Sequence, residues 1–249
     1  MLLCIIIDCK YIRMLKNKVI LITGGSKGIG YGISKALLNE GARVVITSRS
    51  AERAKSAAQK LSDSHPGKII GIASDVTDYA AQKSTVAQII DKWGQLDVLI
   101  ANAGIGHFES IENLSPEQWN ETIDVNLTGV FNSVKVCIPA LKKSKGYIIT
   151  IASLAGTNFF AKGSAYNASK FGLVGFTQAI MLDLRHQGIK VTTIMPGSVS
   201  SYFNDRSPSD ADAWKIQPED LGKIVVNLLE MHPRTLPSKI EIRPSKPPV

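Results

Sequence analysis

A tyrosine and a lysine four residues apart, Tyr166 and Lys170, form the pair in this sequence best suited to proton chemistry. On a helix, residues at this spacing lie one above the other, with their β-carbons about 5–6 Å apart. A free phenol has a pKa of about 10, and lowering it to neutrality takes about 4 kcal/mol. One cation about 4 Å away supplies energy of that order at an effective dielectric constant of about 20. The spacing therefore indicates a candidate acid or base, although an aromatic residue at the core edge beside a solvated lysine is the common alternative.

The elements that would position this pair alternate regularly along the chain. Apolar runs rich in β-branched residues predict seven strands, at residues 19–23, 43–47, 68–73, 97–101, 147–152, 190–195 and 239–243. Helical periodicity follows the first strand up to Gly41 and recurs over residues 51–62, 78–93, 116–143, 164–187 and 218–231. Apolar strands joined by helices predict an α/β fold, a doubly wound parallel sheet of seven strands with helices on both faces.

The chain is predicted to be one domain, residues 15–249, preceded by residues 1–14 as a leader that is disordered or a start-site artefact. The leader lacks the basic start and the cleavage site of a typical signal peptide. No apolar run approaches the roughly 20 residues that span a bilayer, so no membrane association is expected. The net charge of +8 is spread along the 249 residues without a long basic block, and nucleic-acid binding is not expected either.

The cysteines and histidines predict no metal site. Cys4, Cys9 and Cys137 show neither a disulfide framework nor the paired spacing of a zinc site, and the four histidines are scattered singly. Unpaired cysteines fit a reducing compartment, so a cytoplasmic location is expected.

A glycine-rich turn lies between the first strand and the first helix, as Thr23-Gly24-Gly25-Ser26-Lys27-Gly28-Ile29-Gly30. Glycines let a pyrophosphate approach the backbone, and the helix N-terminus presents free amides to it. An ordinary tight turn is the alternative. The phosphate loop of ATPases is excluded because Lys27 precedes Gly28 and no Lys-Ser or Lys-Thr directly follows the glycines. The predicted dinucleotide-binding residues here are Gly24, Ser26, Lys27, Gly28, Ile29 and Gly30.

The end of the second strand favours NADP over NAD. NAD sites place a carboxylate about 20 residues after the glycines to hold the ribose hydroxyls. This chain has Ser48 and Arg49 there, and Arg49, aided by Lys27, is suited to a 2′-phosphate. The alternative is that Arg49 is only a solvated loop charge.

Together these residues resemble the short-chain dehydrogenase/reductase family from about Lys18 to Arg243. The glycine turn resembles its TGxxxGxG loop, and Tyr166 and Lys170 resemble its YxxxK motif, with Ser153 thirteen residues before the tyrosine. Other matches are an adenine contact at Asp75 and Val76, the NAG motif at Asn102, Ala103 and Gly104, the tetrad Asn126, and a PGxVxT-like motif containing Pro196, Gly197, Val199 and Ser201.

The resemblance implies a hydride transfer between NADP(H) and a carbonyl or secondary alcohol. Tyr166 would be the general acid or base, and Ser153 would hydrogen-bond the reacting oxygen. Lys170 would hold the nicotinamide ribose, and Asn126 would anchor a water that leads to solvent. Taken singly, the same residues have structural alternatives: Ser153 as a cap after its strand, Asn126 as a mid-helix polar residue, and Asp75 as the N-cap of the next helix.

The substrate and the assembly are less determined. Residues 200–217, which cover the substrate in this family, are short and polar and are expected to leave an open site. The end of the chain lacks the Asp-Gly-Gly of many relatives, which weakens the assignment as a 3-oxoacyl-carrier-protein reductase. That enzyme and a non-catalytic NADP-binding sensor are the alternative functions. A homodimer or homotetramer through the helices at 116–143 and 164–187 is expected, with a small carbonyl compound as substrate near His107, Phe108, Phe159, Phe160 and Tyr202.

Overall fold

One parallel sheet organises the computed structural model, which describes residues 15–247. Its strands are β1 (Val19–Ile22), β2 (Arg43–Ser48), β3 (Ile69–Ala73), β4 (Val98–Ala101), β5 (Tyr147–Ile151), β6 (Lys190–Pro196) and β7 (Lys239–Ile242). Their order is β3-β2-β1-β4-β5-β6-β7 and all six pairings are parallel. The direction of winding reverses between β1 and β4, where open α/β sheets form a ligand crevice at the carboxyl ends of the strands. The predicted seven-stranded doubly wound fold is confirmed, whereas the predicted leader, residues 1–14, lies outside the described residues.

The helices lie close to their predicted positions, with one difference. They are α1 (Gly28–Asn39), α2 (Ala51–Ser62), α3 (Tyr79–Trp93), α4 (Pro116–Ile123), α5 (Gly129–Ser144), α6 (Ser164–Leu184) and α7 (Pro218–Glu230). The helical span predicted over residues 116–143 is continuous, but it contains a π-helical turn at Asp124–Thr128 between α4 and α5. An extra residue in one turn leaves little trace in hydrophobic periodicity, and such turns are frequent at functional sites.

The sheet separates two hydrophobic cores. Ile20 and Ile22 of β1 face one core, whereas Val19 and Leu21 face the other. This alternation follows from the two-residue period of a strand, and it explains why β1 is apolar at every position. Among residues 15–247, no helix is both long and apolar enough to cross a bilayer.

Candidate active site

The glycine-rich loop lies at the carboxyl end of β1, beside the segment that follows β4. Gly24 has a φ of +65°, and a β-carbon there would lie 2.9 Å from Cα of Ala103. A β-carbon on Gly30 would lie 2.6 Å from Nδ2 of Asn102. Both positions therefore require glycine. The N-cap residue of α1, Lys27, makes no side-chain hydrogen bond to the first turn of the helix. The backbone amides of that turn are therefore available to a phosphate.

Asn102 and Thr23 fix the shape of this loop. Nδ2 of Asn102 donates to the carbonyl oxygens of Thr23 (3.0 Å) and Gly24 (3.1 Å). Oγ1 of Thr23 accepts from the backbone N–H groups of Asn102 (3.0 Å) and Ala103 (3.1 Å). The NAG segment therefore holds the loop through side-chain and backbone hydrogen bonds, and it brings Gly104 to the same crevice.

The predicted adenine contacts follow β3, next to the end of β2. Ser48 is paired with Ala73 in the sheet, and Asp75 and Val76 lie two and three residues after Ala73. Oδ1 of Asp75 accepts from the backbone N–H (2.9 Å) and the hydroxyl (2.8 Å) of Thr77. The alternative of Asp75 as the N-cap of α3 is wrong, because Asp78 caps that helix. Val76 is buried.

Arg49 extends from the end of β2 and meets a carboxylate from a distant part of the chain. Its Nη1 lies 3.7 Å from Oε1 of Glu121, and 57% of its side chain is exposed. Oε2 of the same carboxylate lies 2.8 Å from Nε2 of His107. The Nζ atom of Lys27 lies over the Tyr202 ring, 5.8 Å from its centroid. Arg49 is therefore a largely exposed charge within ion-pair distance of a carboxylate.

Ser153 and Tyr166 meet beyond the end of β5. Ser153 follows that strand, and its Oγ accepts from the backbone N–H of Ala155 (3.1 Å), so it also caps the short turn Leu154–Gly156. Burial raises the pKa of the Tyr166 phenol, and a hydrogen bond with the Ser153 side chain partly offsets this effect. The direction is opposite to the lowering that the Tyr-Lys spacing predicts, because desolvation of the phenolate outweighs the favourable contacts. The phenol is therefore protonated at neutral pH.

Lys170 lies one helical turn after Tyr166 on α6, with its amine inside the protein. The residue is 4% exposed, and its Nζ donates to the carbonyl oxygen of Ile151 (3.2 Å). The same atom lies 5.6 Å from the centroid of the Tyr166 ring. Burial lowers the pKa of this ammonium from 10.5 to about 8, so the amine is mostly charged at neutral pH. The spacing thus places the cation beside the phenol ring as predicted.

Asn126 lies in the π-helical turn and is fully buried. Its Oδ1 accepts from the backbone N–H of Ile105 (2.8 Å), and its Nδ2 donates to the carbonyl of Ile105 (2.9 Å) and to Oγ of Ser169 (3.0 Å). A β-carbon added at Gly104 would lie 3.2 Å from Oδ1 of Asn126 and 3.6 Å from Nζ of Lys170. Asn126 therefore shares a small volume with the lysine, and its amide fixes the loop after β4.

The segment after β6 closes the side of the crevice opposite the adenine contacts. Pro196 ends β6, and the backbone N–H of Gly197 donates to the carbonyl of Ile242 in β7 (2.8 Å). Val199 forms an isolated parallel bridge with Ile216. The β-carbon of Ser201 lies 3.4 Å from the point where a β-carbon of Gly28 would be. Of the predicted residues after β6, Ser201 is therefore brought to the glycine loop.

Two phenylalanine rings pack against Tyr166, and a third packs on one of them. The ring of Phe108 lies 5.3 Å from the ring of Tyr166, and that of Phe203 lies 5.6 Å from it, measured between centroids. Phe160 packs on Phe108 at 5.9 Å. The expectation that residues 200–217 leave an open site is wrong at Phe203, because this ring lies against the candidate catalytic tyrosine.

Phe203 and Glu121 belong to the site but were not predicted from the sequence. Phe203 is the one large apolar residue between Tyr202 and Trp214 in a polar stretch, and that isolation was the available signal. No signal in the sequence pointed to Glu121, because its contacts with Arg49 and His107 depend on where α4 lies in the fold. The other predicted site residues gather at the carboxyl edge of the sheet, around the switch between β1 and β4.

Comparisons with known proteins agree with this arrangement. Residues 18–212 match the family model for short chain dehydrogenases. The chain is 32% identical over 246 residues to a glycine betaine reductase of Emericella nidulans, covering 94% of this chain but only 19% of that protein. It is 31% identical over 231 residues to an uncharacterized oxidoreductase of Staphylococcus saprophyticus, covering 92% of this chain and 98% of that protein.

Solved structures give the same result for the fold. An alcohol dehydrogenase from Thermococcus sibiricus complexed with 5-hydroxy-NADP superposes with a TM-score of 0.88 at 25% identity, covering 94% of this chain and all (100%) of that one. A 3-ketoacyl-(acyl-carrier-protein) reductase from Brucella melitensis complexed with NADH gives a TM-score of 0.84 at 26% identity, covering 93% and 98%. These neighbours carry different forms of the nicotinamide cofactor.

Proposed function

The chain belongs to the short-chain dehydrogenase family of oxidoreductases, and we propose that it is an NADP(H)-dependent enzyme that reduces a carbonyl compound or oxidises the corresponding secondary alcohol. The observation that carries the proposal is the grouping of Ser153, Tyr166 and Lys170 beside the glycine loop. A hydroxyl, a protonated phenol and a buried ammonium there form one proton-donating unit.

The cofactor, when bound, supplies or accepts the hydride. In the reducing direction the Tyr166 hydroxyl donates its proton to the carbonyl oxygen as negative charge develops there. The Ser153 hydroxyl donates a hydrogen bond to the same oxygen and stabilises that charge. The Lys170 ammonium lies 5.6 Å from the phenol ring and stabilises the phenolate that remains. Asn126 would hold a water that returns a proton from solvent.

The residues of the crevice fit a dinucleotide. Gly24 and Gly30 let the loop pack closely against Ala103 and Asn102, and the first turn of α1, which has no side-chain cap, would receive a pyrophosphate with its amides. Arg49 at the end of β2 supports NADP, because its guanidinium can pair with a 2′-phosphate at two points. Ser48, Asp75 and Val76 would contact the adenosine.

The aromatic rings support an apolar carbonyl substrate. Phe108 and Phe203 pack beside Tyr166 and Phe160 packs on Phe108, so a compound that reacts at Tyr166 would meet aromatic faces. Stacking on such faces favours planar or hydrophobic groups next to the carbonyl. A 3-oxoacyl-carrier-protein reductase is the second candidate, supported by the structural likeness to such an enzyme.

Substitution of Tyr166 by phenylalanine tests the mechanism. The variant is expected to lose turnover by at least about 100-fold, the contribution of one positioned proton donor, while NADPH binding is retained. Turnover is followed through NADPH absorbance with a panel of aryl, alkyl and 3-oxoacyl carbonyl compounds, and binding through NADPH fluorescence. Near-normal turnover would contradict the assignment. Wild-type protein that binds NADPH but oxidises it with no member of the panel would favour the sensor function.

We also propose that the protein forms a homodimer or homotetramer through α5 and α6. Phe131 on α5 is 45% exposed, and Phe171 and Leu182 on α6 are 44% and 52% exposed. Large apolar side chains exposed on adjacent helices are suited to burial against a second copy. Light scattering of the purified protein tests this, and a monomer at micromolar concentration would contradict it.

A further inference from the structure

Glu121 lies between the residue proposed to bind the 2′-phosphate and the loop beside the catalytic tyrosine. Its Oε1 is 3.7 Å from Nη1 of Arg49, and its Oε2 is 2.8 Å from Nε2 of His107. The Glu121 side chain is 46% exposed and that of Arg49 is 57% exposed, so both are accessible to a ligand. Each carboxylate oxygen therefore faces a different basic side chain.

We propose that Glu121 is a specificity-determining residue that limits how strongly the protein prefers a 2′-phosphate over a free 2′-hydroxyl. The inference rests on the proposed role of Arg49. To receive a phosphate, the Arg49 guanidinium must release or share the carboxylate, and a like charge then lies beside the phosphate. A 2′-hydroxyl meets no such repulsion and can donate a hydrogen bond to a carboxylate.

This arrangement supplies a carboxylate that the end of β2 lacks. Thr47, Ser48, Arg49 and Ser50 contain no acidic side chain, whereas sites for NAD place one there. In the folded chain, α4 brings Glu121 to Arg49 from a position far along the sequence. The adenosine end of the crevice therefore contains both an arginine suited to NADP and a carboxylate suited to NAD.

His107 keeps the carboxylate close to the arginine. The 2.8 Å contact with Nε2 of His107 joins Glu121 to the segment after β4. That segment is anchored two residues earlier, where Asn126 bonds both the N–H and the C=O of Ile105. Movement of Glu121 away from Arg49 would break the contact with His107. The contact therefore keeps the carboxylate beside Arg49, where it competes with a phosphate for the guanidinium.

The test compares two small ligands that differ at the 2′-position. Affinities for adenosine 2′,5′-bisphosphate and for adenosine 5′-monophosphate are measured by calorimetry in the wild type, in Glu121→Gln, in Arg49→Ala and in the double variant. Exposed ion pairs of this kind correspond to about a two- to fivefold change in affinity. Glu121→Gln is expected to raise the affinity ratio of bisphosphate to monophosphate by that factor, and the NADPH-to-NADH ratio of kcat/KM by a similar one. Glu112→Gln removes an exposed carboxylate elsewhere and is expected to change neither ratio.

The variants separate this inference from the cofactor proposal. If Arg49→Ala leaves the affinity ratio of bisphosphate to monophosphate unchanged, the proposed role of Arg49 is overturned. If this affinity ratio falls in Arg49→Ala but is unchanged or lower in Glu121→Gln, only the role of Glu121 is overturned. Competition through Arg49 predicts that Glu121→Gln has no further effect once Arg49 is alanine. An equal increase in both backgrounds would assign the effect to direct repulsion between the carboxylate and the phosphate, which also supports the role of Glu121 in specificity.

Discussion

Replacement of Lys170 by methionine is expected to make the protein more stable at pH 7 while it removes catalysis. Burial lowers the pKa of this ammonium from 10.5 to about 8 in the folded protein. Keeping the amine charged inside the fold at pH 7 therefore costs about 3 kcal/mol, at about 1.4 kcal/mol for each pH unit of displacement. Methionine has a similar unbranched shape and no charge, but it loses the hydrogen bond to Ile151, which contributes about 1 kcal/mol. The expected net gain in unfolding free energy is about 2 kcal/mol.

The difference between the two proteins should depend on pH in a defined direction. Between pH 8 and 10.5 the unfolded chain holds a proton on Lys170 that the folded chain has released. The unfolding free energy of the wild type therefore rises with pH in this window relative to the variant, by about 3 kcal/mol in total. Below pH 8 the amine is charged in both states, and the difference is constant.

Urea unfolding at pH 7, 8, 9 and 10, at one protein concentration, measures this difference. Lys60→Met serves as the control, because Lys60 is exposed on α2 and its substitution is expected to leave the pH dependence unchanged. Two results would refute the reasoning: a Lys170→Met protein less stable than the wild type at pH 7, or a difference between them that does not change from pH 8 to 10. Either would mean that the buried ammonium is compensated by interactions other than the single hydrogen bond to Ile151.

Three other predictions concern the same site. For carbonyl reduction, kcat/KM for NADPH is expected to fall above a pH of about 8, because Lys170 loses its proton there while burial keeps the Tyr166 phenol protonated. A profile that stays flat to pH 10 would contradict this. Gly24→Ala should lower the unfolding free energy by about 1–3 kcal/mol and weaken NADPH binding, because its φ of +65° and the approach of Ala103 exclude a side chain. An unchanged urea midpoint would exclude that strain. Asn126→Ala should lower both the melting temperature and kcat, since it leaves the partly buried N–H and C=O groups of Ile105 without their side-chain partner, at about 1 kcal/mol for each lost hydrogen bond. Loss of kcat at an unchanged melting temperature would show that Asn126 acts on turnover alone.

The fold could be predicted because its signals are local. Strands in the interior of the sheet are buried on both faces and therefore mostly apolar. The runs that begin at Val19, Arg43 and Tyr147 can be recognised as strands without knowing which strands lie beside them. The π-helical turn at Asp124–Thr128 could not be predicted in the same way. Its extra residue is accommodated by the bonds between Asn126 and Ile105, which join segments 21 residues apart.

The same distinction divides the residues of the site. Tyr166 and Lys170 share one helix, so their separation follows from helical geometry alone. The position of Glu121 beside Arg49 depends on how α4 packs over the end of β2, and no spacing in the sequence encodes it. The direction of the Tyr166 pKa shift could not be predicted from the sequence either, because it depends on how much of the phenol is buried rather than on which cation is near.

The segment after β4 joins the two halves of the site. Asn102 holds the glycine loop by two hydrogen bonds from its amide, and three residues later Ile105 is held by Asn126. Asn126 also donates to Ser169, whose hydroxyl donates to the backbone carbonyl of Tyr166 (2.8 Å). A series of hydrogen bonds, joined by the backbone between Asn102 and Ile105, therefore runs from the glycine loop to the helix that carries the phenol and the ammonium. Residues 200–217 are not part of this series and reach the site through packing instead, with Phe203 against Tyr166 and Ser201 beside Gly28.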